Sequence, residues 1–375
     1  MEFGLFTQTH VPNYYREQDP DAEHNRFLYE IEMVKAADRT GFKYVWASEH
    51  HFLDEYSHLS ASESWLGYMA AVTDNIHLGS GIFNVTPPVN HPARIAERVT
   101  MLDHLSDGRF EFGTGRGSST TEQAGFGITD PDLTRDMWDE VMPEFKKMWR
   151  DGEYSFDGRF FSMPPRNVLP KPWKKPHPPM WVACGSPETF AKAGSLGLGA
   201  LGFTFREPAA LKPMVEAYKE AVADAEPVGE YVNDNVTLVS TLLCMEDGQD
   251  ARHWFRNSGQ GYFQSNVYRY LDTFPRPPGI PPWPEVLPEI DPELLDIGIE
   301  NAMVPAGNPE EVARGVQAFA DTGADQLVFG MSMLPLDLAI GSLELFGKEV
   351  LPQFDTDPEH RTTKMRNAAA ATALR

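Results

Sequence analysis

The chain has 375 residues, of which 41% are hydrophobic and 23% are charged, and its formal net charge is −23 at pH 7. This composition is typical of a globular protein with two domains or of one large α/β barrel with insertions. The acidic charge disfavours nucleic acid and anionic membranes, and no apolar run approaches the roughly 18 residues of a membrane span. Two cysteines without a Cys-x-x-Cys pair predict no structural metal site. The first residues lack a basic signal-peptide region, so a cytoplasmic location is expected.

Hydrophobic periodicity predicts strands and helices that alternate along the chain. The predicted strands are 3–8, 44–47, 76–85, 109–113, 180–183, 198–203, 236–245 and 326–329. The predicted helices are 24–40, 62–73, 92–105, 133–149, 187–195, 208–222, 250–257, 309–322 and 336–350. Eight short strands, each followed by a helix, predict an α/β fold, a (β/α)8 TIM barrel that forms a single domain with insertions over residues 1–354.

An alternative fold and two segments outside the regular strand–helix alternation also have to be considered. A doubly wound sheet is the alternative, but its Gly-x-Gly-x-x-Gly turn is missing, since no glycine lies between Gly4 and Gly41. The Pro-rich insertion 259–300 is too long for a simple connector, and it is expected to be either a mobile lid or a rigid surface loop. The tail 355–375 is polar and then Ala-rich, and a peripheral position is expected for it.

The predicted second strand ends in three titratable residues, Glu49, His50 and His51. In a (β/α)8 barrel the chemistry lies at the carboxyl ends of the strands and in the loops that follow. His50, with an ordinary pKa of ~6.5, suits acid–base work near neutrality, and Glu49 is expected to orient or tune it. The alternative is that these histidines satisfy hydrogen bonds in the core or cap the next loop.

A Gly-rich stretch, residues 112–119, follows the fourth strand and contains Arg116. Backbone N–H groups next to an arginine form a nest for an anion, most simply a phosphate. Arg135, near the start of a later helix, is a second cation that is expected to converge there. A tight turn with a surface arginine is the alternative.

A second candidate anion site follows the fifth strand. Gly185 and Ser186 open a predicted helix, with Ser186 as N-cap and Thr189 in the first turn. Helix N-termini bind phosphate, although an ordinary cap explains the same residues. Two such sites at one rim of a barrel imply a phosphorylated ligand.

The predicted third strand contains Gly79 and Gly81, which would let a flat ligand approach the backbone, although a bulge explains them too. Three phenylalanines near strand ends, Phe6, Phe83 and Phe203, are expected to line a substrate pocket. These three are assigned from strand position alone.

Several short motifs, in the same order along residues 1 to about 352, resemble the bacterial luciferase family of flavin-dependent monooxygenases, and specifically its catalytic alpha-type subunit. The matching segments are 1–4, 41–42, 49–52, 91–92, 102–103, 106–113, 305–311 and 322–324. Together these matches are far more specific than any one of them.

The resemblance implies a (β/α)8 barrel that binds reduced FMN at the carboxyl ends of its strands. A separate flavin reductase would supply FMNH2, and O2 would give a peroxyflavin that oxygenates a small organic substrate. Arg116 and Arg135 would hold the flavin phosphate, aided by Gly185, Ser186 and Thr189. His50 would act in acid–base chemistry.

The flavin ring is implied to lie beside Gly115 and above a cis peptide bond between Gly81 and Ile82. Luciferases have a reactive cysteine at the position of Gly115, and a carboxylate and a serine where this chain has Cys184 and Gly185. Light emission from a long-chain aldehyde is therefore not implied.

Two alternatives remain within the same superfamily. One is a deazaflavin-dependent oxidoreductase that transfers hydride without activating O2, and the other is a non-catalytic flavin-binding partner subunit. The family also implies a homodimer or a heterodimer with a related subunit, for which the small residues Gly67, Ala70 and Ala71 would permit close helix approach. Packing against the sheet explains those small residues equally well.

Overall fold

The computed structural model describes residues 1–117, 119–203, 206–257, 292–331 and 334–373. The strands are β1 (Glu2–Thr7), β2 (Tyr44–Ala47), β3 (His77–Ser80), β4 (Phe83–Asn84), β5 (Phe110–Gly115), β6 (Tyr154–Asp157), β7 (Ser162–Arg166), β8 (Met180–Ala183), β9 (Gly199–Gly202), β10 (Val236–Thr241), β11 (Leu243–Cys244), β12 (Ala306–Gly307) and β13 (Gln326–Gly330). Eight of them form a closed parallel barrel in the order β3-β2-β1-β13-β10-β9-β8-β5, with β5 pairing back to β3. The predicted (β/α)8 fold is thus confirmed.

Helices surround the barrel and follow its strands. They are α1 (Asn13–Gln18), α2 (Ala22–Arg39), α3 (Ser62–Val72), α4 (Pro92–Leu105), α5 (Thr120–Gly125), α6 (Leu133–Trp149), α7 (Pro187–Ser195), α8 (Pro208–Val222), α9 (Gly248–Asn257), α10 (Pro292–Glu300), α11 (Pro309–Ala320), α12 (Leu336–Glu349) and α13 (Arg361–Ala373). Sequence periodicity did not predict α1, α5, the β6–β7 hairpin or α13. Most of the insertion 259–300, and with it the lid prediction, lies outside the described residues.

The barrel interior is filled by large aromatic side chains. The rings of Trp46 and Trp181 meet edge to face with their centroids 5.0 Å apart, and both residues are fully buried. Glycines make the room for them, because a Cβ at Gly79 would lie 2.2 Å from Trp46 and one at Gly199 would lie 2.2 Å from Trp181. The barrel is a packed core, so only its ends are open to a ligand.

A second aromatic layer lies between the barrel and the helices, and Phe83 belongs to it. The Phe83 ring centroid lies 6.1 Å from that of Phe110 and 6.4 Å from that of Phe112. Phe83 packs in this outer core and is 2% exposed. The predicted pocket role of Phe83 is therefore wrong, because its side chain points away from the barrel interior.

The C-terminal helix α13 lies against the amino-terminal end of the barrel. Thr362 Oγ1 donates a hydrogen bond to Glu111 Oε1 at 2.6 Å, deep inside that end. Arg366 forms two hydrogen bonds to the Asp103 carboxylate, at 2.8 and 2.9 Å, and is 3% exposed. The expected peripheral position of the tail is wrong for this helix, which closes the end of the barrel opposite the predicted site.

Candidate active site

His50 lies just beyond β2, at the carboxyl end of the barrel, and its side chain is 13% exposed. Its Nδ1 atom lies 3.2 Å from Oε1 of Glu122, a residue of α5. The His50 ring also meets Tyr56 edge to face, with centroids 4.8 Å apart. With Nδ1 held by a carboxylate, the imidazole presents Nε2 as the nitrogen that can exchange a proton.

Glu49 makes a different contact from the one expected. Its Oε1 atom lies 3.3 Å from His51 Nε2 and accepts a hydrogen bond from the backbone nitrogen of Asn84 at 3.3 Å. The prediction that Glu49 orients His50 is wrong, because successive residues beyond the strand point in different directions. Glu49 instead ties His51 to β4.

The pKa values of Glu49 and Glu122 are shifted in opposite directions. Burial raises the pKa of Glu49, although the hydrogen bond and charge of His51 oppose this effect. Burial also acts to raise the pKa of Glu122, but the charge of His50 and the hydrogen bonds to its oxygens outweigh burial and lower that pKa. Glu122 is therefore an ionised partner for His50 at neutral pH.

Sequence analysis did not identify Glu122, although a helix-capping pattern includes it. Ser119 is the N-cap of α5, its Oγ accepts a hydrogen bond from the Glu122 backbone nitrogen at 3.2 Å, and it donates one to Glu122 Oε2 at 3.1 Å. The Ser-Thr-Thr-Glu sequence at 119–122 is a capping-box pattern. It fixes the carboxylate that faces His50.

The backbone changes course between β3 and β4, at the carboxyl end of the barrel. The peptide bond between Gly81 and Ile82 is cis, as the resemblance implies. A Cβ at Gly115 would lie 2.6 Å from Ile82 Cδ1, so the two residues are packed against each other. A Cβ at Gly81 would lie 3.5 Å from the Phe203 ring.

Phe203 and Phe6 form an aromatic stack at the same end of the barrel. Their ring centroids are 4.5 Å apart and the planes differ by 19°. Both pack with Tyr56 and Ile82 in the cluster that fills the barrel interior. The structure therefore brings Phe6 and Phe203 together beside the cis peptide.

Arg116 extends from the end of β5 and is half-buried. Its Nη1 donates a hydrogen bond to Thr134 Oγ1 at 2.7 Å, and within the described ranges no carboxylate forms a salt bridge with it. Burial and the positive charge of Arg135 lower the pKa of Arg116. Arg135 follows Thr134 on α6, and two guanidinium groups in one region fit an anion with more than one charge.

The glycines before Arg116 have a packing role. Strand β5 continues through Gly115, so the predicted nest is limited to residues beyond it. A Cβ at Gly113 would lie 1.9 Å from the Ser80 carbonyl oxygen, and Gly117 has φ +83°. The tight-turn interpretation therefore explains much of this loop.

The loop before α7 forms a capping box. Ser186 Oγ accepts a hydrogen bond from the Thr189 backbone nitrogen, and Thr189 Oγ1 accepts from the backbone nitrogens of Gly185 and Ser186 at 3.1 and 3.0 Å. Gly185 is exposed, and a Cβ there would meet open space. These residues thus cap α7, and their predicted phosphate contact stays a prediction. Because β5 pairs with β8, this loop follows a strand next to the one that carries Arg116.

The family model for luciferase-like monooxygenases matches residues 1–326. This chain belongs to that family. The described residues contain no group of His, Cys, Asp or Glu side chains arranged to hold a metal ion. Within the same residues, no helix is long and apolar enough to cross a membrane.

The individual relatives include a monooxygenase and an F420-dependent dehydrogenase, and a solved structure shares the fold. The alkanal monooxygenase alpha chain of Photorhabdus luminescens is 25% identical over 362 residues, covering 94% of this chain and 96% of that one. An F420-dependent glucose-6-phosphate dehydrogenase from Kineococcus radiotolerans is 26% identical over 308 residues, covering 78% of this chain and 84% of its own. The oxygenating constituent of 3,6-diketocamphane monooxygenase from Pseudomonas putida, a Type II Baeyer–Villiger monooxygenase solved with FMN, matches with a TM-score of 0.73 at 21% identity, covering 94% and 98%.

Proposed function

We propose that this protein is an FMNH2-dependent, two-component monooxygenase that uses O2 to oxygenate a small organic substrate, with a separate flavin reductase as its partner. The observation that carries the proposal is the Arg116 guanidinium, which is half-buried and has no carboxylate partner within the described part of the chain. The charges of Asp132 and Asp139 act on Arg116, but neither carboxylate forms a salt bridge with it within the described residues, so the guanidinium is able to bind an anion. The phosphate of FMN supplies one.

The proposed phosphate site combines residues that follow two neighbouring strands, β5 and β8, with residues at the start of α6. Arg116 and Arg135 provide the charge, and Thr134 keeps Arg116 in place through its hydroxyl group. Gly185, Ser186 and Thr189 lie beyond the neighbouring strand β8, and the lack of a side chain at Gly185 leaves room for a ligand. The backbone N–H groups of Gly185 and Ser186 donate to Thr189 Oγ1 in this structure, so phosphate would have to displace that hydroxyl.

His50 is the proposed catalytic residue and Glu122 is its positioning residue. Bound reduced flavin would supply the activation of O2. The ionised carboxylate of Glu122 accepts the Nδ1 proton of His50, so that Nε2 holds or releases a proton on the side away from α5. Tyr56 restrains the ring from its edge. Phe6, Phe203 and Ile82 form an apolar wall that excludes water.

The environment of Gly115 agrees with a reaction that needs no cysteine. A Cβ at this position would overlap Ile82, so a larger residue would push that side chain out of its contact. Cys184 is buried, and burial raises the pKa of its thiol to about 12. Neither position therefore provides a reactive thiolate.

Deazaflavin chemistry is the second candidate, because an F420-dependent enzyme is among the relatives that share most of this chain. We would test both with FMN and F420 in equilibrium binding assays, followed by O2 consumption with a generic flavin reductase and NADH. The oxygenase predicts tighter binding of FMN and reductase-dependent oxygen uptake that His50→Ala uncouples. Preferential binding of F420 without oxygen uptake would replace the proposal. Unchanged coupling in His50→Ala would overturn the catalytic role of His50, and a wild type that oxidises nothing above the reductase background would favour a non-catalytic partner subunit.

We also propose a dimer through α3 and α4, as a homodimer or with a related subunit. Tyr68 on α3 is 53% exposed and Met101 on α4 is 49% exposed. Gly67, beside Tyr68, has open space where a Cβ would be. Light scattering of the wild type and of Tyr68→Glu tests this surface, since the variant is expected to be monomeric. An unchanged mass would exclude the surface.

A further inference from the structure

Gln8 has a buried amide group without a hydrogen-bond partner. It lies directly after β1 and is 0% exposed, yet neither Oε1 nor Nε2 has a partner within the described ranges. Its backbone is well held, because Gln8 O accepts a hydrogen bond from Ser57 Oγ at 2.5 Å. A buried amide without partners costs roughly 1–3 kcal/mol, so it calls for a physical explanation, and a bound ligand is one that restores its hydrogen bonds.

The Gln8 side chain points into the mouth of the barrel. It lies two residues beyond Phe6, which packs inside the barrel, so both side chains are on the same face of the chain. A Cβ at Gly330, the last residue of β13, would lie 3.8 Å from Gln8 Nε2. The missing side chain at Gly330 leaves a gap beside the amide.

Thr241 lies on the other side of this gap. It pairs in register with Gly330 across β10 and β13, and its buried Oγ1 atom also has no partner in the described chain. Thr241 is two residues beyond Val239, whose side chain packs in the barrel interior, so Thr241 faces the same way. The chain segments that flank β13 on its two sides thus bring the polar side chains of Gln8 and Thr241 to the neighbourhood of one glycine.

This cluster lies across the barrel from the proposed flavin site. Going round the barrel, β13 is four strands from β5, which carries Arg116, and β10 is four strands from β3, which precedes the cis peptide. The Phe6–Phe203 stack lies between this cluster and the proposed flavin site, since Phe6 comes from β1 and Phe203 follows β9. A molecule that contacts both the Phe6–Phe203 stack and the Gln8 amide would therefore face the flavin from the opposite side of the barrel mouth.

We propose that Gln8 and Thr241 are specificity-determining residues that bind the oxygen function, a carbonyl or a hydroxyl, of a neutral substrate with an apolar ring. Gln8 Nε2 and the Thr241 hydroxyl donate to that oxygen, and Gln8 Oε1 accepts when the ligand is an alcohol. An ionised substrate is disfavoured because both side chains are neutral and the wall beside them is apolar. The proposal rests on the proposed oxygenase function for the role of this ligand as substrate.

The test compares three matched probes, 1-indanone, 1-indanol and indane, by ligand-observed NMR titration with the full chain, with and without FMN. The wild type is expected to bind the ketone and the alcohol about tenfold more tightly than the hydrocarbon, and Gln8→Met and Thr241→Val are each expected to remove most of that preference. Thr237→Val is the matched control. Thr237 lies deeper in β10, and its hydroxyl already donates to Gln326 Oε1 at 2.9 Å, so its loss should leave the preference unchanged.

A ligand-free measurement completes the test. Gln8→Met removes an unsatisfied buried amide while keeping the side-chain length, so its melting temperature is expected to rise. A lower melting temperature would show that Gln8 has a structural partner, and it would overturn the proposal. Equal binding of the three probes by the wild type would also overturn it. Because one titration series contains no flavin, failure of the FMN assignment would leave its result unaffected.

Discussion

Glu122 Oε1 lies 3.2 Å from His50 Nδ1 and 3.0 Å from the backbone nitrogen of His51. One carboxylate thereby fixes both the orientation of the His50 ring and the path of the loop that carries it. Because α5 follows the Arg116 loop, this contact also links the proposed proton-transfer residue to the proposed phosphate site.

Glu122→Gln is expected to lower the rate of coupled oxygenation by about 100-fold, because the amide no longer fixes the proton on His50 Nδ1. Since the folded pKa of Glu122 is lowered, its contribution is present at neutral pH and is lost as the pH falls through that value. The pH profile of kcat/KM should lose its dependence on this carboxylate. Glu49→Gln, which affects His51, is the control and should change the rate much less. Equal losses in both variants would contradict the assignment.

Arg116→Met is expected to weaken FMN binding by about tenfold or more, since the phosphate loses a charge-assisted hydrogen bond. Riboflavin lacks the phosphate, so its affinity should be the same in the wild type and the variant. Fluorescence titration with both ligands measures the difference. Arg159→Met removes an exposed arginine paired with Asp136 and serves as the control. A similar loss for riboflavin would exclude a phosphate contact at Arg116.

Glu111→Gln is expected to stabilise the protein increasingly as the pH rises from 5 to 8. Burial raises the pKa of Glu111 to about 8, and its oxygens contact Thr362, Trp181 and His77. The folded state thus keeps a proton that the unfolded state has lost above about pH 4.5, so the wild type loses free energy of unfolding across this window. The amide needs no proton, and its advantage should reach the order of 4 kcal/mol at pH 8. Urea denaturation at several pH values measures it, and a pH-independent difference would contradict the prediction.

Arg366→Leu is expected to lower the free energy of unfolding by about 3–5 kcal/mol, because it leaves the Asp103 carboxylate buried and unpaired. Both partners of this ion pair are buried, with side chains 4% and 0% exposed. Lys364 is on the same helix and forms an exposed ion pair with Asp357, which precedes the helix. Lys364→Leu should alter the free energy of unfolding by less than about 0.5 kcal/mol. Urea denaturation measures both variants. Similar stability of Arg366→Leu and the wild type would show that α13 is peripheral after all.

Sequence periodicity predicted the barrel well because its strands are short, apolar and separated by amphipathic helices. Phe83 was predicted to face the barrel interior because the third strand was predicted as one element over 76–85. In the structure the alternation is interrupted between β3 and β4, so that Ile82 contacts the inner cluster and Phe83 the outer one. A single interruption of this kind reverses the side on which every later residue lies.

Two further features could not be predicted from periodicity. Helix α5 has six residues, too few for a periodic apolar face, and its role depends on a contact 72 positions away, between His50 and Glu122. Helix α13 is buried through polar side chains, Thr362 and Arg366, which give no apolar pattern. In both cases the information lies in long-range polar pairing.

Helix α13 stabilises the end of the barrel opposite the proposed substrate site, and this separates the two ends in their tolerance of substitutions. Buried ion pairs and hydrogen bonds of Asp103, Glu111 and Arg366 secure one end of the barrel. The polar atoms of Gln8 and Thr241 that lack partners in the described chain lie at the other end. Substitutions that adapt the mouth to a new substrate would therefore leave the strongest buried polar contacts intact. Such a division favours diversification of specificity on a constant scaffold, in evolution as well as in the laboratory.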